Sequence, residues 1–382
     1  MNKIILTILV AFLAIVCTLY KDILVLSGYY RGPAQKYNGG KCRYLEGLKL
    51  KLCEDIKIHH ASGLAYLACG DKQSSKTYSW PPPIDTYKNI PLRGTFYVYN
   101  IKTDKLTPLI LKNFADEEDF ILHGFGIYES PIEPDNLYFF IINHKRTGSV
   151  IELFEHKINT FELNHLKTFK HDLIYSPNNV VPVSKDEFYI TNDFYSQSYW
   201  KIQFEMLARL RWSNVVFHSS KANTTEIVVD GLIVANGINV NWDYSRIFIG
   251  TSGTGELLIY ERKPDSKLKM LDTINVEHLV DNVNVDPVTG EIYLAVAHNG
   301  PELFLYASGL TCLSKKPSFG VIKISNNTKE DKFYGIKYAK EKIFEDDGTF
   351  FHSLSVAAGD SRRKVMFWGS PFAEGVVRCE LD

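Results

Sequence analysis

The 382-residue sequence is most informative at first for what it lacks. It has no GxSxG nucleophile elbow, no HExxH zinc helix, no P-loop and no kinase signature. A covalent serine hydrolase, a zincin or a nucleotide-dependent transferase therefore has no local support. No CxxC pair occurs among its six cysteines, which excludes a zinc-ribbon or thioredoxin reading. Basic and acidic side chains nearly cancel, 43 against 44, with no basic stripe or tail, so nothing points to nucleic acid. Low-complexity tracts are missing, and helical periodicity is scarce. The segments 204–212 and 165–171 are the two places where a short helix is expected.

What is abundant is aromatic and apolar residues in short alternating runs, with 22 Tyr and 23 Phe, enough for a large β-rich core. Val280-Asp281-Asn282-Val283-Asn284-Val285 leads through a Pro287/Gly290 turn into Ile292-Tyr293-Leu294-Ala295. Forty-five positions upstream, Ala235-Asn236-Gly237-Ile238-Asn239-Val240 leads to Ile247-Phe248-Ile249-Gly250 in the same way. Strand-turn-strand self-similarity at that period signals a β-propeller. The template is a polar residue, apolar residues two and four later, a turn, and an apolar phrase. It recurs from Glu54, His123, Asn178 and His352, giving six copies and an all-β, six-bladed β-propeller. Blade boundaries are expected near 105–120, 165–175, 215–230, 262–275 and 310–345.

Equivalent residues of innermost strands converge on the axis of such a fold. Glu54, Asn178, Asn236, Asp281 and Asn282 would then offer two carboxylates and three amide carbonyls at one mouth, a set that suits Ca²⁺. The competing reading is ordinary turn chemistry, because Asn and Asp at strand starts bond local backbone. His123 shares that repeat position and His144 follows the second strand of the same copy, so these two carry the proton-transfer hypothesis. His59-His60 is expected in a turn, and His165, His171 and His218 at the surface.

One apolar run, Ile4 to Tyr20, divides the chain into an uncleaved signal-anchor or a cleaved leader (1–20), a linker (21–41) and the propeller (42–382). Either form of the leader delivers the body to the secretory pathway, membrane-anchored with a lumenal or extracellular propeller, or secreted. The sequons at Asn223 and Asn326 agree with that exposure. Cys42 and Cys379 lie at the two ends of the ring, where a bond would close it; the alternative is two free thiols. Cys53 and Cys69 flank an expected hairpin as a second possible pair. Pro81-Pro82-Pro83 sits in a polar, aromatic insertion, expected as a loop over one face.

The phrases Cys53-Glu54-Asp55-Ile56, Ser62-Gly63-Leu64-Ala65, His123-Gly124, Asn143-His144, Thr191-Asn192-Asp193, Ala235-Asn236-Gly237-Ile238-Asn239 and Leu279-Val280-Asp281-Asn282 together resemble the paraoxonase/arylesterase family from about Cys42 to Cys379. The resemblance implies a six-bladed propeller with two calcium ions in its tunnel, hydrolysis of lactones and aryl or aliphatic esters, and a retained N-terminal hydrophobic segment. It places the catalytic ion on Glu54, Asn178, Asn236, Asp281 and Asn282, the histidine dyad on His123 and His144, and the disulfide on Cys42–Cys379. A second, structural ion would rest on Asp55, the carbonyl near Phe125, and Asn179, where the family has Asp. Histidines that some members place round the pocket correspond to Phe194, Gly255 and Ala297, so phosphotriesterase breadth is not carried over. Two other readings stand beside this one. A non-catalytic, membrane-tethered propeller assisting protein assembly would be favoured by lost ligands, and a strictosidine-synthase-like propeller does not need the five-residue set.

Overall fold

The computed structural model describes residues 3–46, 48, 50–70, 91–307, 315–329 and 335–382. The Pro81–Pro83 insertion and Cys312 lie outside these residues. The body is nearly all-β and propeller-like. Three antiparallel sheets have four strands each, made by 177–232, 235–275 and 279–346, with the strands of each in chain order. A five-stranded sheet carries Leu122–Glu129, Asn136–Lys145, Gly148–Lys157 and Glu162–Phe169, plus the short strand Ile110–Lys112 on its outer edge. The first and last parts of the chain share one eight-stranded sheet through Lys51–His59 and Val365–Glu374.

The first strand of each unit packs against the first strand of the next: Lys51–His59, Leu122–Glu129, Pro177–Pro182, Ala235–Val240, Leu279–Val285 and Val356–Asp360, which returns to Lys51–His59. Most of these inner strands end their own sheet, and the ring lays neighbouring inner strands beside those edges. Between the sheets the core is aromatic. Tyr66, Phe96, Phe120, Phe125, Phe139 and Phe154 form one buried cluster, and Phe319, Phe344, Phe351 and Trp368 lie in another. Ring edges meet ring faces there, as in Phe96 against Phe125 and Phe319 against Trp368. The outer strands Lys105–Pro108, Glu162–Phe169, Thr224–Leu232, Leu268–Asn275 and Tyr338–Asp346 fall at the expected unit boundaries.

The ring is closed twice. Cys42–Tyr44 pairs antiparallel with Val377–Glu380, with Cys42 opposite Cys379, and the two sulfurs are bonded. Cys53 and Cys69, also opposite each other on a strand pair, form the second disulfide.

Several local expectations are corrected. A helix does form near 204–212, but it is Tyr199–Leu207. The segment 165–171 is not helical: His165 belongs to the strand Glu162–Phe169, and its ring packs on Phe114 and Phe154. His218 is half-buried in Ser213–Ser219 against Phe169 and Phe188. His59 ends an inner strand and is buried, while His60 begins the turn and His171 is exposed. Phenylalanine rings brought from elsewhere in the chain hold His165 and His218 where local polarity predicts surface.

The N-terminal helix spans Lys3–Leu26 and leaves Ile5, Leu6, Ile8, Phe12 and Ile15 exposed. Its end is tied to the body by Gly300 N donating to Ser27 O at 2.6 Å and Arg31 Nη1 to His298 O at 2.7 Å. Among the described residues no helix is long and apolar enough to cross a membrane, so the anchor expectation gains no support.

Candidate metal centre

A regular strand sends alternate side chains to opposite faces, so neighbours such as Asp281 and Asn282 should not share a site. Five of the inner strands break that rule at the same place. Register with the second strand slips between Cys53 and Asp55, between Leu122 and Phe125, between Pro177 and Asn179, between Ala235 and Ile238, and between Val280 and Val283. Each time the inner strand carries one residue more than its partner, which is a β-bulge. The extra residue lies at Glu54, His123-Gly124, Asn178, Asn236-Gly237 and Asp281-Asn282, the repeat position singled out in the sequence. Bulging re-aims two successive side chains toward one centre.

Close approach of the bulges needs missing side chains. A Cβ on Gly124 would lie 2.5 Å from Asn178 O, and one on Gly237 would lie 2.5 Å from Val283 N and 2.6 Å from Asn282 Cα. Both contacts are with backbone, which cannot rotate away.

The side chains brought together are deeply placed. Glu54 is 2 % exposed, Asn178 5 % and Asn282 0 %, while Asn236 and Asp281 are part-buried. Their amide donors are tied down. Asn282 Nδ2 donates to Glu54 Oε1 at 2.8 Å, Asn236 Nδ2 to Ser252 Oγ at 3.2 Å, and Asn178 Nδ2 reaches Asp193 Oδ2 at 3.5 Å. Three acceptors, Glu54 Oε2, Asn178 Oδ1 and Asn236 Oδ1, are buried without a hydrogen-bond partner. Buried oxygens from three separate strands left without donors are the arrangement a hard cation satisfies.

Carboxylates crowded there resist ionisation. Burial pushes Glu54 well above the usual carboxylate range, and the charges of Asp55 and Asp281 add to it, against Asn282 and Lys57. Asp281 is pushed up to about 8, chiefly by burial and opposed by its bond with Asn236. Asp193 is raised to about 6, again by burial. A divalent ion would offset the cost of burying these charges and favour the ionised carboxylates.

His123 stands beside the oxygens. Its Nε2 is 3.7 Å from Glu54 Oε1, its Nδ1 is 2.8 Å from His144 Nε2, and His144 Nδ1 is 2.9 Å from Ser149 Oγ. Burial holds both rings neutral: His123 falls well below the normal histidine range and His144 falls to about 4.

His352 is not brought into this set. It precedes its strand, contacts Ser353 Oγ at 3.2 Å and packs on Tyr306. Ser355, immediately before the sixth inner strand, stands there instead; its Oγ donates to Glu54 O at 2.7 Å and its carbonyl accepts Asn282 N at 3.0 Å. Ser355 thereby ties the first inner strand to the fifth. Sequence reading gave no role to Ser355, Asp193 or Ser252. Asp193 ends the Thr-Asn-Asp phrase, but its proximity to Asn178 depends on strand pairing.

The positions expected to hold a second ion are arranged differently. Asp55 Oδ1 accepts Ile56 N at 2.9 Å, and its Oδ2 accepts Phe125 N at 3.1 Å and Asn179 Nδ2 at 3.4 Å. Lys57 Nζ lies 3.1 Å from the same Oδ2. Phe125 thus presents an N–H rather than a carbonyl to Asp55. These residues do not fit a second cation.

Two other features lie at the far end of the inner strands. A cavity of about 410 Å³ is lined by Lys57, His60, Gly126, Ile238, Asn284 and Gly359 among others. It opens two to six residues beyond the bulges and contains none of the five proposed ligands. His60, Asp286 and Asp360 cluster at the same end. Asp360 Oδ2 already accepts Arg363 Nη1 at 2.7 Å, and Asp286 accepts Val288, Thr289 and Ser361 amides. That cluster has little spare acceptor capacity.

A family model described as Arylesterase matches residues 53–381. Serum paraoxonase/arylesterase 2 of Rattus norvegicus is 30% identical over 342 residues, covering 89% of this chain and 88% of that protein. Serum paraoxonase/lactonase 3 of Oryctolagus cuniculus is 30% identical over 318 residues, covering 83% of each. Among solved structures, a luciferin-regenerating enzyme superposes with a TM-score of 0.51 at 10% identity, over 89% of this chain and 94% of that one, a likeness of fold alone.

Proposed function

The chain belongs to the arylesterase (paraoxonase) family, and on that premise we propose that it is a calcium-dependent hydrolase of lactones and aryl or aliphatic esters. The observation that carries the reading is the set of three donor-less buried oxygens, Glu54 Oε2, Asn178 Oδ1 and Asn236 Oδ1, beside the His123–His144 pair. Glu54, Asn178, Asn236, Asp281 and Asn282 hold the ion. A bound calcium supplies polarisation of the ester carbonyl and positive charge for the developing oxyanion.

This chain's own groups handle the proton. With His144 Nδ1–H donating to Ser149 Oγ and His123 Nδ1–H donating to His144 Nε2, His123 Nε2 is the basic nitrogen, on the side of Glu54. His123 takes the proton of the attacking water there, and Glu54 offsets the imidazolium charge. His144 fixes the tautomer and accepts the Nδ1 proton if it is passed on. No covalent nucleophile is required, in keeping with the missing serine motif.

The test is a panel of lactones and aryl esters assayed with and without a calcium chelator. Chelator-sensitive turnover is the expected outcome, and full turnover after dialysis against excess chelator refutes the metal mechanism. We further propose six blades, one for each inner strand of the ring, and the division 1–20, 21–41 and 42–382. A secretory-pathway location follows, membrane-associated through the N-terminal segment or secreted. Asn223 and Asn326 are both exposed, as glycan acceptors must be.

A further inference from the structure

We propose that Lys57 is a resident cation that replaces the second, structural ion, so that the chain binds a single calcium. This inference rests on the proposed function for the location of that one ion. Its own evidence is the environment of Asp55, which is fully buried. A buried carboxylate requires either a cation or a full shell of donors. Asp55 has both from the protein. Backbone amides of Ile56 and Phe125 and the amide of Asn179 donate to it, and the Lys57 ammonium sits 3.1 Å from Oδ2. Lys57 reaches this position because it lies two residues beyond Asp55 on the same strand, on the same face. Its side chain is only 11% exposed, and its ammonium is otherwise without a hydrogen-bond acceptor.

Asn179 completes the exchange. Its Oδ1 is taken by Val180 N at 2.8 Å, and its Nδ2 faces Asn282 Oδ1 at 2.6 Å as well as Asp55. Where an ion would need oxygen, Asn179 presents N–H. The two acceptors around it, Asp55 and Asn282, fix that orientation of the amide. A lysine has a further consequence: it stays with the chain at any free calcium level. The brace between the first and third inner strands, Asp55 to Asn179, therefore survives when calcium is withdrawn.

The experiment counts calcium bound to purified protein by isothermal titration and by metal analysis after gel filtration. It compares wild type, Asp281→Ala, and the pair Lys57→Ala/Asn179→Asp. Wild type is expected to bind one ion, Asp281→Ala none, and the double variant one more than wild type. Two ions on wild type, or one retained by Asp281→Ala, overturns the proposal, since an ion then occupies the Asp55 position. An unchanged count in a folded double variant also overturns it. Zero ions on wild type with one on the double variant refutes the calcium hydrolase reading and leaves the Lys57 assignment standing. Should the double variant fail to fold, Lys57→Met gives a second readout. Its thermal midpoint in chelator should drop below that of wild type, and an equal midpoint counts against the brace.

Discussion

Calcium binding should be coupled to proton release, and the coupling can be sized from the site. In the uncomplexed protein, burial raises Asp281 to about 8 and pushes Glu54 well above its usual range. At pH 7 an acid with that pKa is roughly nine-tenths protonated. Ligation requires the carboxylate, so binding expels the proton, and affinity falls about tenfold, or about 1.4 kcal/mol, per pH unit below 8. Between pH 8 and pH 6 the loss from Asp281 alone is thus on the order of a hundredfold; any share from Glu54 makes it steeper. Folding of the calcium-free protein responds to pH in the opposite direction. Asp281 has a folded pKa above its unfolded value near 3.8, so its contribution to stability is complete at low pH and is lost as pH rises through about 8. Calcium should therefore raise the thermal midpoint more at pH 8 than at pH 6. Titration calorimetry at pH 7 in buffers of different ionisation enthalpy measures the protons directly, with about one or more released per ion expected. Asp281→Asn should lose affinity and the corresponding part of the pH slope. Affinity that is flat from pH 6 to 8, with heats independent of buffer, would refute the reasoning, because the ion would then be held by groups that are already ionised or neutral.

Four further outcomes are expected. His123→Gln should retain calcium affinity and lose turnover by roughly 10²–10⁴-fold, the usual scale for a general base. Normal turnover per calcium-loaded molecule would move the base to Glu54 or Asp281. The rise of the wild-type rate with pH, if it reports His123, should fall below the ordinary histidine range, since burial depresses that ring. Cys42 and Cys379 are 337 positions apart and Cys53 and Cys69 only 16; loop entropy gives about 6 and about 3 kcal/mol for the two bonds. Denaturant midpoints of the two Cys→Ser pairs should rank in that order, and equal losses would show that chain entropy is not what sets them. Gly237→Ala should weaken calcium at least tenfold, because the new methyl meets backbone of the neighbouring bulge, about 1–3 kcal/mol of overpacking. Gly40→Ala, with nothing within 4 Å, is the control, and equal effects would dismiss the close-approach argument.

The sequence by itself determined the repeat, the all-β class and the inner-strand position of Glu54, His123, Asn178, Asn236 and Asp281. Those are local properties: alternation, turn residues and a 45-residue period are written along the chain. The unit boundaries and the Cys42–Cys379 closure were legible for the same reason, as positions relative to the repeat, whereas Cys53–Cys69 stood only as a possible pair until the strands were placed. Tertiary structure alone decided which polar neighbours share a face. Alternation would send Asn282 away from Asp281 and Asn179 away from Asn178, and the bulges reverse this by inserting one residue against a partner strand. A bulge is a relation between two strands, so it cannot be read from one. The same holds for Ser355, just before the sixth inner strand, which in place of His352 joins the first and fifth inner strands. It holds for His165 and His218, polar in sequence yet wedged among phenylalanines. It holds most of all for Lys57. On the chain it is one charge in an inner strand; only with Asn179 placed beside Asp55, 124 residues away in sequence, does its ammonium become the cation of that site.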